Sequence, residues 1–308
     1  MPAPLPRLDR VFLTDAGLET DMVFNRGFEL SCFSSVTLLR SAKGRLELAA
    51  YFRDFLALAA RYRTGFVLES ATWRASADWA VPLGLDQEEL SALNRHAIAL
   101  LLELKAEYAA GESPVLVSGC IGPRGDGYDP GKLMSADEAA AYHGEQAKLL
   151  VDAGADLLSA ITMTNVPEAI GITRAAAALH SPVVISFTVE TDGRLPTGDD
   201  LGEAIEAVDA ATGSYPAYYM INCAHPTHFA PALREGEPWT ARVKGLRANA
   251  SRCSHAELDA MTELDAGNSA ELARWYRELR DRFPQLQVLG GCCGTDLRHV
   301  AAIAEACA

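Results

Sequence analysis

Eight short apolar runs alternate along this chain with stretches of helical character, and that alternation restricts its folds more than any other feature. The runs are Val11–Thr14, Phe66–Glu69, Val115–Ser118, Asp156–Ile161, Val183–Val189, Tyr218–Asn222, Val243–Ala248 and Gln287–Gly290. Between them the periodicity predicts helices near Arg45–Arg63, Gln87–Tyr108, Ala136–Asp152, Pro167–Leu179, Asp200–Thr212, Thr227–Arg234, Ser269–Phe283 and Asp296–Ala306. Two carry start signals: Ser135 precedes Glu138 at capping-box spacing, and Asn165 stands just before Pro167 and Glu168. Strands each followed by a helix pair in parallel through crossovers. Eight such units in 308 residues fit a (β/α)8 barrel better than an open doubly wound sheet. No GxGxxG follows the first run and no GxxxxGK[ST] occurs, so a nucleotide-binding α/β fold loses its usual support. With no long linker and no fixed repeat, one barrel domain over residues 1–308 is expected.

Charge narrows the partners. Acidic residues outnumber basic ones 41 to 27, for a net charge of -14. Nucleic acids and anionic membranes recruit Lys/Arg patches, so neither is an expected partner. No apolar run approaches the ~18 residues of a membrane span, and the Pro-rich Met1–Arg10 segment lacks a secretory signal's apolar stretch. There are seven cysteines, two of them adjacent, an arrangement poorly suited to disulfides. Reduced thiols in the cytoplasm are the expectation.

The active face of a (β/α)8 barrel is the set of loops at the strand C-termini. Polar candidates there are Asp15, Glu69–Thr72, Gly119–Pro123, Thr162–Asn165, Glu190, Asn222–His225, Asn249 and Cys292–Cys293. Three of the seven cysteines fall in this set. Cys292 and Cys293 lie between glycines, where the backbone can turn so that adjacent side chains converge. Cys223 follows the sixth run, and in a closed barrel strands six and eight are separated by one strand. Three thiolates with one position open are the layout of a catalytic zinc site. Burial as small apolar residues is the plainer role for any one cysteine. Zn²⁺ at such a site would deprotonate a substrate thiol and leave its sulfur electron-rich, which suits transfer of an electrophilic carbon to sulfur. A Schiff-base lyase would need a lysine at a strand end; the only lysine in a run, Lys244, lies near the start of the seventh.

Gly290-Gly291-Cys292-Cys293-Gly294-Thr295 and Asn222-Cys223 resemble the cysteine motifs of the homocysteine S-methyltransferase family. Thr14–Thr20, Ser70–Ser76, Ser118–Pro123, His143–Gln146 and Ala153–Asp156 resemble further family segments, so the likeness spans nearly the whole chain. It implies a (β/α)8 barrel, zinc held by Cys223, Cys292 and Cys293, and homocysteine sulfur as the fourth ligand. It further implies that Asp15 and groups after the second strand bind the amino acid portion: Glu69, Ser70, Thr72 and Trp73, with Asn222 beside Cys223. One departure stands out. Where the family carries a glutamate after the fourth strand, this chain has Ile161. Glu69, where related sequences often have a neutral residue, is expected to hold the substrate ammonium jointly with Asp15. Pairing of Glu69 with Arg74 or Arg124 is the competing expectation.

Several residues have two readings each. His225 and His228 could ligate the metal, or stand behind its ligands or touch the substrate. Cys120 could be a small residue at the barrel rim. Trp73 could wall a cationic methyl donor or simply pack. Gly125–Gly131 reads as a long loop on the donor side. Arg247, Asn249 and Arg252 could meet a carboxylate or serve as caps and surface groups. The chain ends at Ala308, soon after the eighth helix, so the expected donor is a free sulfonium or ammonium compound rather than one carried on a cobalamin or folate domain. A zinc barrel serving as thiol sensor or store is the alternative. A homo-oligomer remains open.

Overall fold

The computed structural model describes Leu5, residues 10–108 and residues 113–308; most of Met1–Arg10 lies outside this set. Eight parallel strands close into a barrel in sequence order: β1 (Phe12–Thr14), β2 (Gly65–Glu69), β3 (Val115–Ile121), β4 (Leu157–Met163), β5 (Val183–Phe187), β6 (Tyr218–Asn222), β7 (Val243–Ala248) and β8 (Val288–Gly291). β1 pairs with both β2 and β8, which completes the ring. The outer helices are α1 (Ala42–Tyr62), α2 (Gln87–Tyr108), α3 (Ala136–Asp152), α4 (Val166–Ala178), α5 (Leu201–Thr212), α6 (Pro226–Phe229), α7 (Ser269–Arg282) and α8 (Leu297–Cys307).

The expected start signals act as predicted. The Ser135 hydroxyl accepts from the Glu138 amide, and the Glu138 carboxylate accepts in return. Asn165 caps α4 by accepting from Glu168 N. The helix expected over Thr227–Arg234 is a single turn, because Pro231 cannot donate to a continuing helix. β4 runs past Ile161 to Met163 through a bulge between Ala160 and Met163, so Ile161 is a strand residue.

Strand alternation builds the floor of the barrel's upper face. Phe12, Val67, Leu116, Leu157, Val184, Met220 and Val288 form an apolar plug inside the ring, separate from the core between strands and helices. Two residues further along each strand the next inward position comes up: Thr14, Glu69, Ser118, Ser159, Ser186 and Asn222. Ser118 and Ser159 share a 2.7 Å hydrogen bond, and Ser186 donates to Asn222 Oδ1 at 2.6 Å. An apolar plug below and a polar layer above make the upper end the chemical one. No helix among the described residues is long and apolar enough to cross a membrane.

Candidate active site

Cys223 stands one residue past β6, where alternation would turn it away from the barrel axis after inward-facing Asn222. It adopts φ 54°, a left-handed conformation rare outside glycine, and this re-aims its side chain. Across the mouth, Cys292 and Cys293 follow β8 in a turn completed by Gly294 at φ 77°, where a Cβ would sit 2.8 Å from Asp265 O. Gly290 serves differently: a Cβ there would lie 1.8 Å from Thr14 Oγ1, so the small residue lets β8 press on β1. The sulfurs of Cys223, Cys292 and Cys293 all lie within 4.8 Å of one another. With zinc–sulfur bonds of about 2.3 Å, tetrahedral geometry separates sulfurs by about 3.8 Å, so this trio fits such an ion with slight closure.

The backbone around the trio is held firmly. Cys292 N donates to Ala248 O at 2.9 Å, Thr295 Oγ1 to Cys292 O at 2.6 Å, and Ala250 N to Cys293 O at 3.1 Å. The Cys223 carbonyl accepts from Asn249 Nδ2 at 3.0 Å and from His255 Nε2 at 2.7 Å. Contacts to the sulfurs are looser: Thr162 Oγ1 to Cys223 at 3.6 Å, Tyr128 OH to Cys293 at 3.5 Å and Asn222 Nδ2 to Cys292 at 3.9 Å. Of the three thiols, Cys292 is the one drawn below the usual range, while Cys223 and Cys293 are pushed up. Hydrogen bonds from Cys223 and Cys293 lower the Cys292 pKa, helped by the Arg247 guanidinium.

The adjoining wall of the cavity, a space of about 700 Å³ including its open mouth, is built from charge. Arg247 Nη2 lies 2.7 Å from Asp15 Oδ1, both side chains nearly sealed from solvent. Tyr51, from the middle of α1, donates to Asp15 Oδ2 at 3.2 Å and accepts from Ala16 N at 3.2 Å. Burial raises the Asp15 pKa while Arg247 and Tyr51 oppose the rise. Glu69, on the neighbouring strand, is 5% exposed and its carboxyl is pushed up to about 7, chiefly by burial. The pairings expected for it are absent: Arg74 meets Asp126 at 3.0 Å and Arg124 meets Asp78 at 2.7 Å.

Asp15, Glu69, Ser70 and Trp73 line the cavity with the three cysteines, whereas Thr72 and Asn222 do not. The Thr72 hydroxyl donates to Cys120 O at 2.6 Å and contacts Ser70 Oγ at 2.6 Å, shaping the turn after β2. Asn222 ties three strands together, accepting from Thr162 N at 3.0 Å and Ser186 Oγ and donating to Thr162 Oγ1 at 2.8 Å. Trp73 donates to Ile161 O at 3.1 Å and packs where Cβ atoms on Gly122 or Gly127 would collide with it. Cys120 and Ile161 also line the cavity. The Gly125–Gly131 loop brings Tyr128 over the sulfurs, stacked on His255 with ring centroids 3.9 Å apart.

His225 and His228 stand outside the sulfur group. His225 caps α6 through Thr227 N, and His228 lies 3.0 Å from Arg252 O. Arg252 itself pairs with Glu271 at the surface. Sequence reasoning missed Tyr51, Tyr128 and His255. Tyr51 is one aromatic in an apolar helix and Tyr128 one residue in a turn-rich loop, so neither had a local signal. Arg247, singled out as a residue that could meet a carboxylate, lies in β7 and lines the cavity, where it meets Asp15.

The profile of the homocysteine S-methyltransferase family matches residues 12–307. Homocysteine S-methyltransferase of Escherichia coli (strain K12) is 27% identical over 252 residues, covering 76% of this chain and 77% of that protein. Homocysteine S-methyltransferase 1 of Arabidopsis thaliana is 23% identical over 257 residues, covering 78% of each. Among solved structures, the homocysteine methyltransferase MmuM from Escherichia coli superposes in its oxidized form with TM-score 0.74 at 23% identity, covering 96% of this chain and 95% of that one. Its metallated form gives 0.71 at 22% identity, covering 96% of each. With the profile spanning nearly the full length and a barrel of the same architecture beneath it, the chain belongs to the homocysteine S-methyltransferase family.

Proposed function

We propose that this barrel catalyses zinc-dependent transfer of a methyl group from a small sulfonium or ammonium donor to the thiol of homocysteine, giving methionine. The observation that carries it is the convergence of the Cys223, Cys292 and Cys293 sulfurs beside a cavity rich in carboxylates. Cys223, Cys292 and Cys293 would hold a zinc ion, which when bound would supply the acidity that lets an acceptor thiol lose its proton at neutral pH while its sulfur stays nucleophilic. Asn222 and Thr162 orient the β6 end of the trio, and Arg247 offsets the negative charge gathered there. Asp15 holds Arg247 in place, while Glu69 and Ser70 present polar groups to the amino acid portion, with Thr72 fixing Ser70.

The acceptor sulfur attacks the methyl carbon in line. The new S–CH₃ bond forms as the donor's S–CH₃ or N–CH₃ bond breaks, and the donor leaves neutral. The chain's part is to position both reactants and exclude water. Trp73 and Tyr128 offer aromatic faces against which a cationic methyl group is stable. A reducing compartment such as the cytoplasm is the setting in which these thiols stay available.

The test is a screen of zinc-loaded protein with homocysteine against methylated sulfonium and ammonium donors, with methionine measured by mass spectrometry. Production from at least one donor is expected; none from any would overturn the reading. A second reading, a zinc barrel with another thiol partner or a sensing or storage role, is favoured by apolar Ile161 in the cavity wall. Turnover decides between them.

A further inference from the structure

Glu69 ends β2 at the cavity floor, buried, with its Oε2 lacking a hydrogen-bond partner among the described residues. Ser118 and Ser159 hydroxyls serve the carboxyl, yet no cation among the described residues pairs with it directly: Arg247 is bound to Asp15, Arg74 to Asp126 and Arg124 to Asp78. Asp15 Oδ1 also lacks an aligned hydrogen bond, but it stands 2.7 Å from the Arg247 guanidinium, so its charge is met. Glu19 accepts from Ser35 at 2.6 Å. A buried carboxylate oxygen without a donor costs on the order of 1–3 kcal/mol or more. Such a group persists where a ligand completes it.

Ring order places that ligand. β1 lies between β2 and β8 in the ring, paired to both. Glu69 at the end of β2 and Cys292 just past β8 therefore stand two strand spacings apart along the wall, about 10 Å. A molecule with a cationic nitrogen a few bonds from its sulfur spans the space between them.

The geometry points to Glu69, two strands from apolar Ile161, as the specificity residue that receives the α-ammonium of the thiol acceptor. This rests on the proposed thiol methylation and deepens it: the acceptor is an amino acid thiol, gripped from β2. Asp15, expected to share the task, lines the cavity too, but its charge is already paired with Arg247. A thiol without the ammonium leaves Glu69 buried and unpaired, so it is rejected far more strongly than its size alone would dictate.

The experiment compares homocysteine with 4-mercaptobutanoate, the same molecule without its amino group. Zinc-loaded wild type, Glu69→Gln and the exchange pair Glu69→Ile and Glu69→Ile/Ile161→Glu are each examined by steady-state kinetics and calorimetric binding, with metal content checked. Wild type is expected to prefer homocysteine by at least about 10³-fold in kcat/KM. Glu69→Gln is expected to raise KM and Kd for homocysteine between about 10- and 150-fold with little change in kcat, leaving 4-mercaptobutanoate unaffected or improved. Glu69→Ile/Ile161→Glu should bind homocysteine more tightly than Glu69→Ile, because it returns a carboxylate to the cavity. Equal homocysteine affinity in wild type and Glu69→Gln overturns the assignment while leaving methyl transfer intact. Glu69-dependent binding without methyl transfer from any donor sustains the assignment and overturns the activity.

Discussion

The sulfur side of the cavity, at the ends of β6 and β8, and the carboxylate side, at the ends of β1, β2 and β7, are constructed by opposite means. On the sulfur side the backbone does the positioning: left-handed Cys223, the Gly294 turn and short bonds to the cysteine carbonyls and the Cys292 amide. The sulfurs themselves receive only contacts of 3.5 to 3.9 Å. On the carboxylate side the side chains hold one another, Tyr51 to Asp15 to Arg247. Atoms that must be given to a ligand cannot also fasten their own residue in place, so the fold secures the trio from behind. Arg247 and Asp15 spend their charges on each other, and Glu69, on the same side, is left with one to give.

The sharpest way to break this contrast is to remove a sulfur. Cys223→Ala, Cys292→Ala or Cys293→Ala should each abolish stoichiometric zinc and lower turnover by several kcal/mol, roughly 10³-fold or more. Metal analysis beside methionine production reads both. Full metal retention by any of the three would separate that cysteine from the site.

Arg247→Met should strike stability instead. It leaves Asp15 charged, buried and unpaired, an expected loss of about 3–5 kcal/mol in urea unfolding. Adding Asp15→Asn should recover much of that loss, and its failure to do so would show that the pair is not a unit.

Glu69 predicts a pH dependence with a definite sign. Its folded pKa, about 7, lies above the ordinary 4.5, so between those values the folded protein binds the extra proton. Stability is therefore greatest in acid and falls by about 3 kcal/mol as pH rises from 4.5 through 7. Glu69→Gln should flatten that segment of the curve. An unchanged curve would show that the carboxylate finds a partner the fold does not reveal.

The smallest effect belongs to a residue that braces the sulfur side from behind without lining the cavity. Asn222→Leu removes the bonds to Thr162 and Ser186 and should weaken zinc affinity by about 10- to 100-fold, measured by chelator competition.

What could be read in the sequence follows the same division. The cysteine motifs are local strings next to β-rich runs, and the barrel follows from counting those runs, so both were legible before any coordinates. The partnerships of the charged wall were not. Tyr51 meets Asp15 across 36 positions, and Arg247 reaches Ala16 across 231. Only closure of the ring brings them together. The β4 bulge, which puts Thr162 at φ 67° beside Asn222, likewise had no signature in Ala160-Ile161-Thr162. The helix expected past Thr227 failed for a local reason, since Pro231 outweighs the apolar periodicity around it.

The backward-turned residue after β6 bears on how such a protein persists. Glycine or asparagine would sit at position 223 more comfortably, by about 1–2 kcal/mol of backbone strain for an ordinary side chain. Any lineage freed from the need for that sulfur would drift toward the easier residue and gain stability by doing so. The sulfur at position 223 is thus held at a cost in stability that an easier residue would remove.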